Sequence, residues 1–196
     1  KPGVFLSTQE ETGHGDRLFI GIGCSVRTRE KIEAVRQLLV NQLSGIAWVP
    51  GENFHLTLAF LGTISTALTE RLTGRLADNY EEESCFFYHL TELSRFPNAK
   101  GGVIALLGHP DKQLSGLYDR TLSLLHTVGL EPAWNTFKPH ITLGRIRKPA
   151  KMSERISLPV DISLKIGAVT LYKSVLTPAG SVYSVLRKVP LGAPKN

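Results

Sequence analysis

The chain contains two short stretches in which a histidine is followed by an apolar residue, a threonine and a leucine: FHLTLAF, with His55 and Thr57, and KPHITLGR, with His140 and Thr142. Both show the alternating apolar and polar pattern of a half-buried β-strand. Successive side chains of a strand point to opposite faces, so each histidine shares a face with its threonine. The pattern predicts two strands that are anchored to a core by their apolar residues and that present imidazole and hydroxyl groups to one cleft.

A third triplet of this kind, His89-Leu90-Thr91, shows how little the pattern means alone. Its fourth residue is Glu92, where an anchoring residue should be apolar, and the carboxylate would repel a bound phosphate. A single triplet on a strand is more often a structural pair than a catalytic one. Two copies with matching apolar partners, in corresponding parts of two halves, favour function. We therefore predict that His89 is a surface or edge-strand residue.

Histidine has an ordinary pKa of about 6.5, so it can accept or donate a proton near neutrality. Two histidines on opposite sides of a phosphorus atom can divide the work: one removes a proton from the attacking hydroxyl, and the other protonates the departing oxygen. Threonine hydroxyls can donate to the non-bridging oxygens. This chemistry needs no metal or cofactor. The alternative, a zinc site built from His55 and His140, would need a third Cys, His, Asp or Glu ligand, which neither motif carries.

Arg145 is the candidate cation for stabilising charge on a phosphorane-like transition state. Strand alternation alone would place it on the face opposite His140. Gly144 lies between the motif and the arginine, and a glycine inside a strand often marks a β-bulge, which would turn Arg145 toward the cleft. An exposed arginine at the end of the strand is the alternative interpretation.

Hydrophobic periodicity predicts the elements that must position these residues. Apolar residues one turn apart indicate helices at 27–43, 65–80 and 112–128. Short apolar or alternating runs indicate strands at 17–22, 46–49, 55–61, 86–93, 103–107, 140–146, 162–172 and 182–189.

The order of these elements indicates an α+β fold with mostly antiparallel strands, because several strands are joined by short connections. A tryptophan, Trp48 or Trp134, precedes each motif by six or seven residues, which suggests an internal duplication. No linker rich in Pro, Gly or Ser divides the halves. We expect residues 17–196 to form one domain with two pseudo-symmetric lobes, outer helices and a central cleft.

Composition narrows the class of protein. The 196 residues are 42% hydrophobic, which suffices for a sizeable core, and no apolar run approaches the roughly 18 residues of a membrane span. Cys24 and Cys85 form neither a Cys-x-x-Cys motif nor a secreted framework, which favours reduced thiols in a cytoplasmic protein. Residues 1–16 lack the basic-then-apolar order of a signal peptide, and we expect a flexible leader, native or left from cloning.

The net charge of +6 permits a polyanionic partner but does not require one, because the basic residues are scattered along the chain. The nearest approach to a cluster directly follows the second motif: Arg145, Arg147, Lys148 and Lys151. A solvated loop is the simpler interpretation of that segment, and only its position beside the motif favours a role in binding.

The paired motifs resemble those of the 2H phosphoesterase superfamily, and in particular its 2′-5′ RNA ligase branch, the RNA 2′,3′-cyclic phosphodiesterases. The similarity covers most of residues 17–189 and includes RLFIGI near the start and LYKSVLTPAGSVYSVL near the end. The resemblance implies a two-lobed, LigT-like α+β fold in which each lobe offers one motif to a central cleft. It also implies hydrolysis of RNA 2′,3′-cyclic phosphate ends to 2′-phosphomonoesters without metal or cofactor, and in some members 2′-5′ joining of RNA.

Transferred residue by residue, the resemblance implies that His55 is the proton donor and His140 the proton acceptor, with Thr57, Thr142 and Arg145 binding the phosphate. The implied partners are RNA ends or nucleotides that carry a 2′,3′-cyclic phosphate, and we expect a monomer. Because the motifs are nearly identical, the sequence alone leaves open which histidine is the acid and which is the base.

Two other functions remain open at this point: a phosphodiesterase for another cyclic or 2′-5′ linked nucleotide, and a nucleotide-binding module with little turnover. Base recognition is equally open. Four aromatic residues are candidates for stacking on a base, although a core position is the favoured interpretation for each: Phe19, Phe60, Phe137 and Tyr172. The remaining histidines, His14, His109 and His126, are predicted to be loop or surface residues.

Overall fold

The computed structural model describes residues 15–109, 111–133, 136–147, 156–178 and 180–194. Trp134, Lys148, Lys151 and His14, together with most of the expected leader, lie outside the described residues. The helices are α1 (Val26–Val40), α2 (Thr66–Tyr80) and α3 (Lys112–Val128). The strands are β1 (Asp16–Gly23), β2 (Ile46–Trp48), β3 (His55–Ile64), β4 (Phe86–Phe96), β5 (Val103–Gly108), β6 (His140–Ile146), β7 (Ser157–Ile166), β8 (Ala168–Thr177) and β9 (Gly180–Pro190).

The predicted helices and most of the predicted strands are confirmed, with one error near the end of the chain. The single strand predicted at 162–172 is in fact two strands, β7 and β8, which are separated by Gly167. The apolar alternation continues across Gly167, so the sequence pattern did not indicate that the chain changes direction there. Near the start of the chain, Asp16 is the first residue of β1 and not part of the leader. It pairs with Ile64 of β3.

Each helix begins at a residue whose side chain accepts a hydrogen bond from the first turn. Ser25, Ser65 and Asp111 are the N-caps of α1, α2 and α3, and each oxygen accepts from the backbone N–H three residues later. Helix α3 ends at Gly129, which has a φ of 79°, the left-handed conformation that glycine adopts without strain. These polar signals fix where the amphipathic segments start and stop.

The strands form one mostly antiparallel sheet in the order β7-β4-β5-β6-β3-β1-β8-β9, and β2 pairs with β6. The order is pseudo-symmetric about its centre, because β6 and β3 carry the two histidine motifs. Each motif strand lies beside a strand from which a helix separates it in the sequence. Strand β6 lies beside β5, with α3 between them in the chain, and β3 lies beside β1, with α1 between them. The predicted α+β fold with two related halves of antiparallel sheet is therefore confirmed.

A single hydrophobic core runs through both halves of the sheet and under the helices. At its centre β3 and β6 pair through Leu56 and Ile141, and both side chains are 0% exposed. Helices α2 and α3 are joined within the core by a hydrogen bond of 2.8 Å between the hydroxyls of Tyr80 and Thr121. Because the two halves share this core, neither motif strand can move without disturbing the other.

No helix within the described residues is long and apolar enough to cross a membrane.

Gly144 is packed too closely against β2 to carry a side chain. A β-carbon there would lie 2.5 Å from Cγ2 of Ile46 and 3.0 Å from Cε3 of Trp48. Since β2 pairs with β6 at this point, with Trp48 opposite Gly144, the glycine lets the two backbones and the tryptophan ring come together. The glycine of KPHITLGR thus has a packing reason in addition to the bulge that the sequence predicts.

We predict that Gly144→Ala lowers the free energy of unfolding by about 1–3 kcal/mol, the usual cost of overpacking a core. Urea denaturation would measure it. Gly74→Ala is the matched control, because Gly74 lies inside α2, where an added β-carbon would meet no atom within 4 Å and alanine should stabilise the helix. Equal stability of the two variants would contradict the packing argument.

Candidate active site

The first motif lies at the start of β3 and has the predicted alternation. His55 and Thr57 are half-buried, whereas Leu56 and Leu58 are buried. The apolar residues hold the strand to the core, so the histidine and threonine both face the other side of the sheet. For this strand the predicted alternation is confirmed: Leu56 and Leu58 pack into the core, and His55 and Thr57 lie on the opposite face.

The second motif has the same arrangement on β6. His140 and Thr142 are half-buried, and Ile141 and Leu143 are buried. The pairing of Leu56 with Ile141 makes the two motif strands antiparallel neighbours. If that register is continued by one residue on each side, each histidine lies across from the threonine of the other motif. Residues directly across from one another in a sheet have β-carbons about 4.5–5.5 Å apart. The four predicted residues therefore share one face of the sheet.

Both imidazoles are held by the backbone two residues upstream. His55 Nδ1 lies 2.6 Å from the carbonyl oxygen of Asn53, and His140 Nδ1 lies 2.8 Å from the carbonyl oxygen of Lys138. A carbonyl can only accept, so Nδ1 is the donor in each case, and the tautomer of each ring is fixed. Nε2 of each ring is then the nitrogen that can exchange a proton with a ligand.

Aromatic rings surround His55. The ring of Phe19 lies 4.7 Å from that of His55, and Tyr183 contacts the imidazole edge-on at 5.1 Å. Tyr172 stacks on Phe19 at 4.9 Å. Phe19 and Tyr172 are candidates from the sequence; Phe19 is buried, as predicted, and both pack beside the site. Tyr183 was missed, although it lies in the closing segment that carries the family resemblance.

His140 has a different neighbour. The ring of Phe96 stacks on it, with centroids 3.9 Å apart and an angle of 21° between the planes. Phe96 is the last residue of β4, more than forty positions from His140 in sequence, and no local pattern in the sequence indicates this contact. The two histidines thus occupy similar places in the sheet but have unlike surroundings.

The charge of Arg145 contributes to lowering the pKa of both His55 and His140, so its guanidinium lies within electrostatic reach of each imidazole. The pairing of β5 with β6 shifts register between Thr142 and Gly144, where one extra residue, Leu143, is accommodated. Leu143 and Gly144 are consecutive buried residues, and Arg145 is exposed. The predicted irregularity beside Gly144 is therefore present, and it interrupts the alternation that would have turned Arg145 away from the histidine face.

Burial controls the proton affinity of both histidines. Burial, with smaller contributions from the charges of His140 and Arg145, lowers the pKa of His55 from 6.5 to about 4, and the bond to the Asn53 carbonyl opposes this shift. Burial also lowers the pKa of His140, again with Arg145 contributing and the bond to Lys138 opposing. Both rings are therefore mainly neutral at pH 7 in the unliganded cleft.

A side-chain hydrogen bond ties the His55 motif to the end of the β8–β9 hairpin. Asn53 Nδ2 donates to the carbonyl oxygen of Ser181 at 2.9 Å, while the backbone oxygen of Asn53 accepts from His55. Tyr183, which contacts His55, follows Ser181 by two residues on β9. Asn53 therefore connects the ring of His55 to a strand more than 120 residues away in sequence.

The other candidates lie away from the cleft or take structural roles. His89 is exposed on β4, an inner strand, so the surface prediction is confirmed and the edge-strand alternative is wrong. His109 and His126 are exposed, as predicted. Phe60 is half-buried with the guanidinium of Arg17 at 4.8 Å from its ring centre.

Two predictions about metals and thiols can be compared with the described part of the chain. There, no group of three or more His, Cys, Asp or Glu side chains is close enough together to hold a metal ion. His55 and His140 thus have no third ligand of these types among the residues described. Cys24 and Cys85 are both free thiols, as predicted.

Comparison with known proteins independently supports the family resemblance of the two histidine motifs. The family model of the 2′-5′ RNA ligase superfamily matches residues 22–176. The chain is 28% identical to the RNA 2′,3′-cyclic phosphodiesterase of Thermotoga maritima, over 87% of this chain and 92% of that protein. It is 31% identical to the protein of the same name from Thermus thermophilus, over 79% of this chain and 80% of that protein.

Solved structures agree with the sequence matches. The crystal structure of E. coli LigT in its apo form superposes with a TM-score of 0.74 and 26% identity, covering 92% of this chain and 99% of LigT. A Thermus thermophilus structure gives a TM-score of 0.75 at 26% identity, covering 91% of this chain and 100% of that one. Since the family model spans both histidine motifs and the folds match over nearly their whole length, the chain belongs to the 2′-5′ RNA ligase superfamily.

Proposed function

We propose that the protein hydrolyses RNA 2′,3′-cyclic phosphate ends to 2′-phosphomonoesters, without a metal or cofactor, by a two-histidine mechanism. The observation that carries the proposal is the matched pair His55 and His140. Each ring donates through Nδ1 to a carbonyl two residues upstream, which leaves both Nε2 atoms for proton transfer in one cleft. The relatives named RNA 2′,3′-cyclic phosphodiesterase support the choice of substrate. We also propose that the protein acts as a monomer in the cytoplasm.

In the proposed reaction His140 Nε2 accepts a proton from water as the water oxygen forms a bond to phosphorus. The bond between phosphorus and O3′ breaks, and His55 Nε2 donates its proton to O3′. The products are a 2′-phosphate and a free 3′-hydroxyl. Transfer of the proton from His140 to solvent and uptake of a proton by His55 restore the starting state.

Thr57, Thr142 and Arg145 are proposed to bind the phosphate. The threonine hydroxyls share the histidine face of the two motif strands and would donate to the non-bridging oxygens. Arg145, whose charge reaches both imidazoles, would stabilise the negative charge that grows on those oxygens in the transition state.

The proton-donor role of His55 requires the substrate. Its pKa of about 4 in the unliganded cleft leaves it neutral at pH 7, so it cannot act as an acid there. A phosphate anion beside the ring favours the protonated form and raises the pKa. We propose that His55 takes up its proton together with the anion, and that water rather than a second RNA end is the usual acceptor, with 2′-5′ ligation as the reverse of related chemistry.

A second candidate is a phosphodiesterase for another cyclic or 2′-5′ linked nucleotide. The observation that favours it is that LigT has been crystallised with 3′-AMP, with ATP and with NADP+, so a protein of this fold binds free nucleotides. A nucleotide-binding module with little turnover is the remaining alternative. Such a binding module would need a place for the nucleotide, but it would not need two histidines that are each held in one tautomer.

We predict that His55→Ala and His140→Ala each lower the rate of cyclic-phosphate opening by about 10²–10⁴-fold, because each removes one proton-transfer group. The assay follows loss of the cyclic end of an oligoribonucleotide in EDTA and resolves 2′- from 3′-phosphate products. His89→Ala is the matched control, since that exposed histidine belongs to the third triplet and should leave the rate unchanged. Full activity in either cleft variant, or a requirement for added metal, would refute the mechanism.

We predict a bell-shaped pH profile whose maximum for kcat/KM lies below pH 6.5. This parameter reports the free enzyme, in which the pKa values of both His55 and His140 are lowered, so the pair loses its protons at lower pH than ordinary histidines. The profile of kcat reports the substrate complex, where the phosphate raises these pKa values, and its maximum should lie at higher pH. Coincident maxima, or a kcat/KM maximum at pH 7 or above, would contradict this account.

We predict that Asn53→Ala lowers kcat by about tenfold, because small misplacements of a reacting group are costly. Loss of the bond to Ser181 frees the segment whose carbonyl fixes the His55 tautomer. Nitrogen NMR of the imidazoles should then show a mixture of the two neutral tautomers for His55 but not for His140. Asn79→Ala removes a comparable bond, to the Arg120 carbonyl between α2 and α3, and should change neither property. A slower variant with an unaltered tautomer would indicate a merely structural role.

A further inference from the structure

The imidazole of His140 is held from two directions, and Phe96 supplies the second of them. Nδ1 of the imidazole donates to the carbonyl oxygen of Lys138 at 2.8 Å, and the ring of Phe96 stacks on its face with centroids 3.9 Å apart. A hydrogen bond to one ring atom leaves the imidazole free to tilt about that bond. The stacked ring restricts this tilt, because the two planes lie only 21° apart.

Open space lies behind the Phe96 ring. Phe96 and Lys138 line a pocket of about 310 Å³. Phe137, in another wall of the pocket, packs against the core, as predicted, and Tyr118 stacks on it at 4.3 Å. The Phe96 ring separates this pocket from His140. Without the ring, the imidazole would have an empty space into which it could turn.

The first half of the sheet also places an aromatic ring against its histidine. His55 pairs with Gly23 of β1. The residue four positions earlier on that strand is Phe19, and its ring lies 4.7 Å from the imidazole. Residues four apart on a strand share a face, so Phe19 and Gly23 lie on the same side of the sheet.

In the second half the ring comes from a different strand. His140 pairs with Leu107 of β5, and four positions earlier that strand carries Val103, which has no ring. Phe96 is the partner of Val103 on β4, and it supplies the ring from there. A ring therefore recurs at the histidine although the residue that supplies it differs between the halves. This recurrence points to a requirement of the histidine rather than of the strand beside it.

The charges around His140 oppose the proton that the proposed mechanism gives it. Arg145, on the same strand, and His55, on β3, are the charged or titratable groups that interact with it. Strand β5 presents Leu107, which is uncharged. Among the described residues, the histidine that forms an ion pair with a carboxylate is His126, which is exposed and lies outside the site. A protonated His140 therefore has no anionic side chain of the described residues to stabilise it.

The face of the Phe96 ring acts in the opposite direction. The π face of an aromatic ring carries partial negative charge and attracts a cation placed over it. The carbonyl oxygen of Lys138 also favours the protonated imidazole. The attraction between Phe96 and a charged imidazole grows as the proton arrives, so it stabilises the transition state more than the bound substrate.

We propose that Phe96 is a positioning residue for His140. Its ring fixes the plane of the imidazole so that Nε2 is directed at the attacking water, and it favours the imidazolium that forms when His140 accepts the proton of that water. The inference rests on the proposed function, in which His140 is the base. Because Phe96 acts through His140 and not on the substrate, it should affect kcat and leave KM nearly unchanged.

The kinetic test compares the wild type with Phe96→Leu, which keeps apolar bulk without a ring face, and with Phe96→Tyr, which keeps the ring. We expect Phe96→Leu to lower kcat for opening of a cyclic-phosphate end by about tenfold, because small misplacements of a reacting group are costly. Phe96→Tyr should restore most of the rate. Wild-type kcat in Phe96→Leu, or a rise in KM alone, would overturn the proposal.

Histidine NMR of the unliganded protein tests the same contact without turnover. The ring current of the stacked aromatic ring should shift the His140 proton resonances in the wild type and in Phe96→Tyr, and this shift should be lost in Phe96→Leu. The pKa of His140 should fall in Phe96→Leu, since no π face then favours the charged ring, and the pKa of His55 should change less. A rise in the pKa of His140 would mean that Phe96 only excludes water, which would contradict the proposal.

Phe87→Leu is the matched control, because Phe87 is exposed near the start of the same strand. It loses the same kind of ring and should keep the wild-type kcat and the pKa values of both histidines. If the wild type opens no cyclic phosphate, the proposed function fails, and the NMR comparison still decides whether Phe96 holds His140. If the wild type is active but the His140 resonances are the same in Phe96→Leu, the positioning role is refuted and the hydrolysis stands.

Discussion

The site depends on the antiparallel contact between β3 and β6 at Leu56 and Ile141, where two fully buried side chains join the halves of the sheet. Leu56 and Ile141 must face the core, so the residues that alternate with them must face the other side of the sheet. Burial of this one pair therefore places both histidines on the same side. A slip of one residue would reverse every side chain of the slipped strand and turn its imidazole into the core. The arrangement of the reacting groups is thus specified by hydrophobic burial, and no hydrogen bond between the two histidines is needed to define it.

The same burial that positions the histidines also lowers the pKa of both rings. A pKa lowered from 6.5 to about 4 disfavours the protonated form of His55 by about 3 kcal/mol. A single charge about 4 Å away contributes on the order of 4 kcal/mol at the effective dielectric of a protein surface. The two magnitudes are similar, which supports the proposal that a bound phosphate anion protonates His55. In the proposed mechanism desolvation therefore couples substrate binding to protonation, which a pair of solvent-exposed histidines would not do.

The sequence was sufficient to predict what depends on alternation and local spacing. Patterns within a few residues were enough to predict the helices, the irregularity beside Gly144, and the face of the sheet on which His55 and His140 lie. What it could not provide were contacts between distant segments, such as Phe96 on His140 and Tyr183 on His55, because an aromatic residue on a strand is equally suited to a core. The prediction of one strand at 162–172 failed for a related reason: a tight reversal at one glycine leaves the apolar alternation almost unbroken.

The pseudo-symmetry of the motifs ends at their surroundings, and this difference is where substrate orientation can arise. His55 is enclosed by Phe19 and Tyr183 and is tied to the β8–β9 hairpin through Asn53, whereas His140 has one stacked ring and an adjacent open pocket. The cyclic phosphate of the proposed substrate is itself asymmetric, because its O2′ stays bound to phosphorus while its O3′ departs. In the proposed reaction the unlike surroundings of His55 and His140 are therefore what can decide which imidazole faces the departing oxygen, since the two motifs themselves are nearly identical.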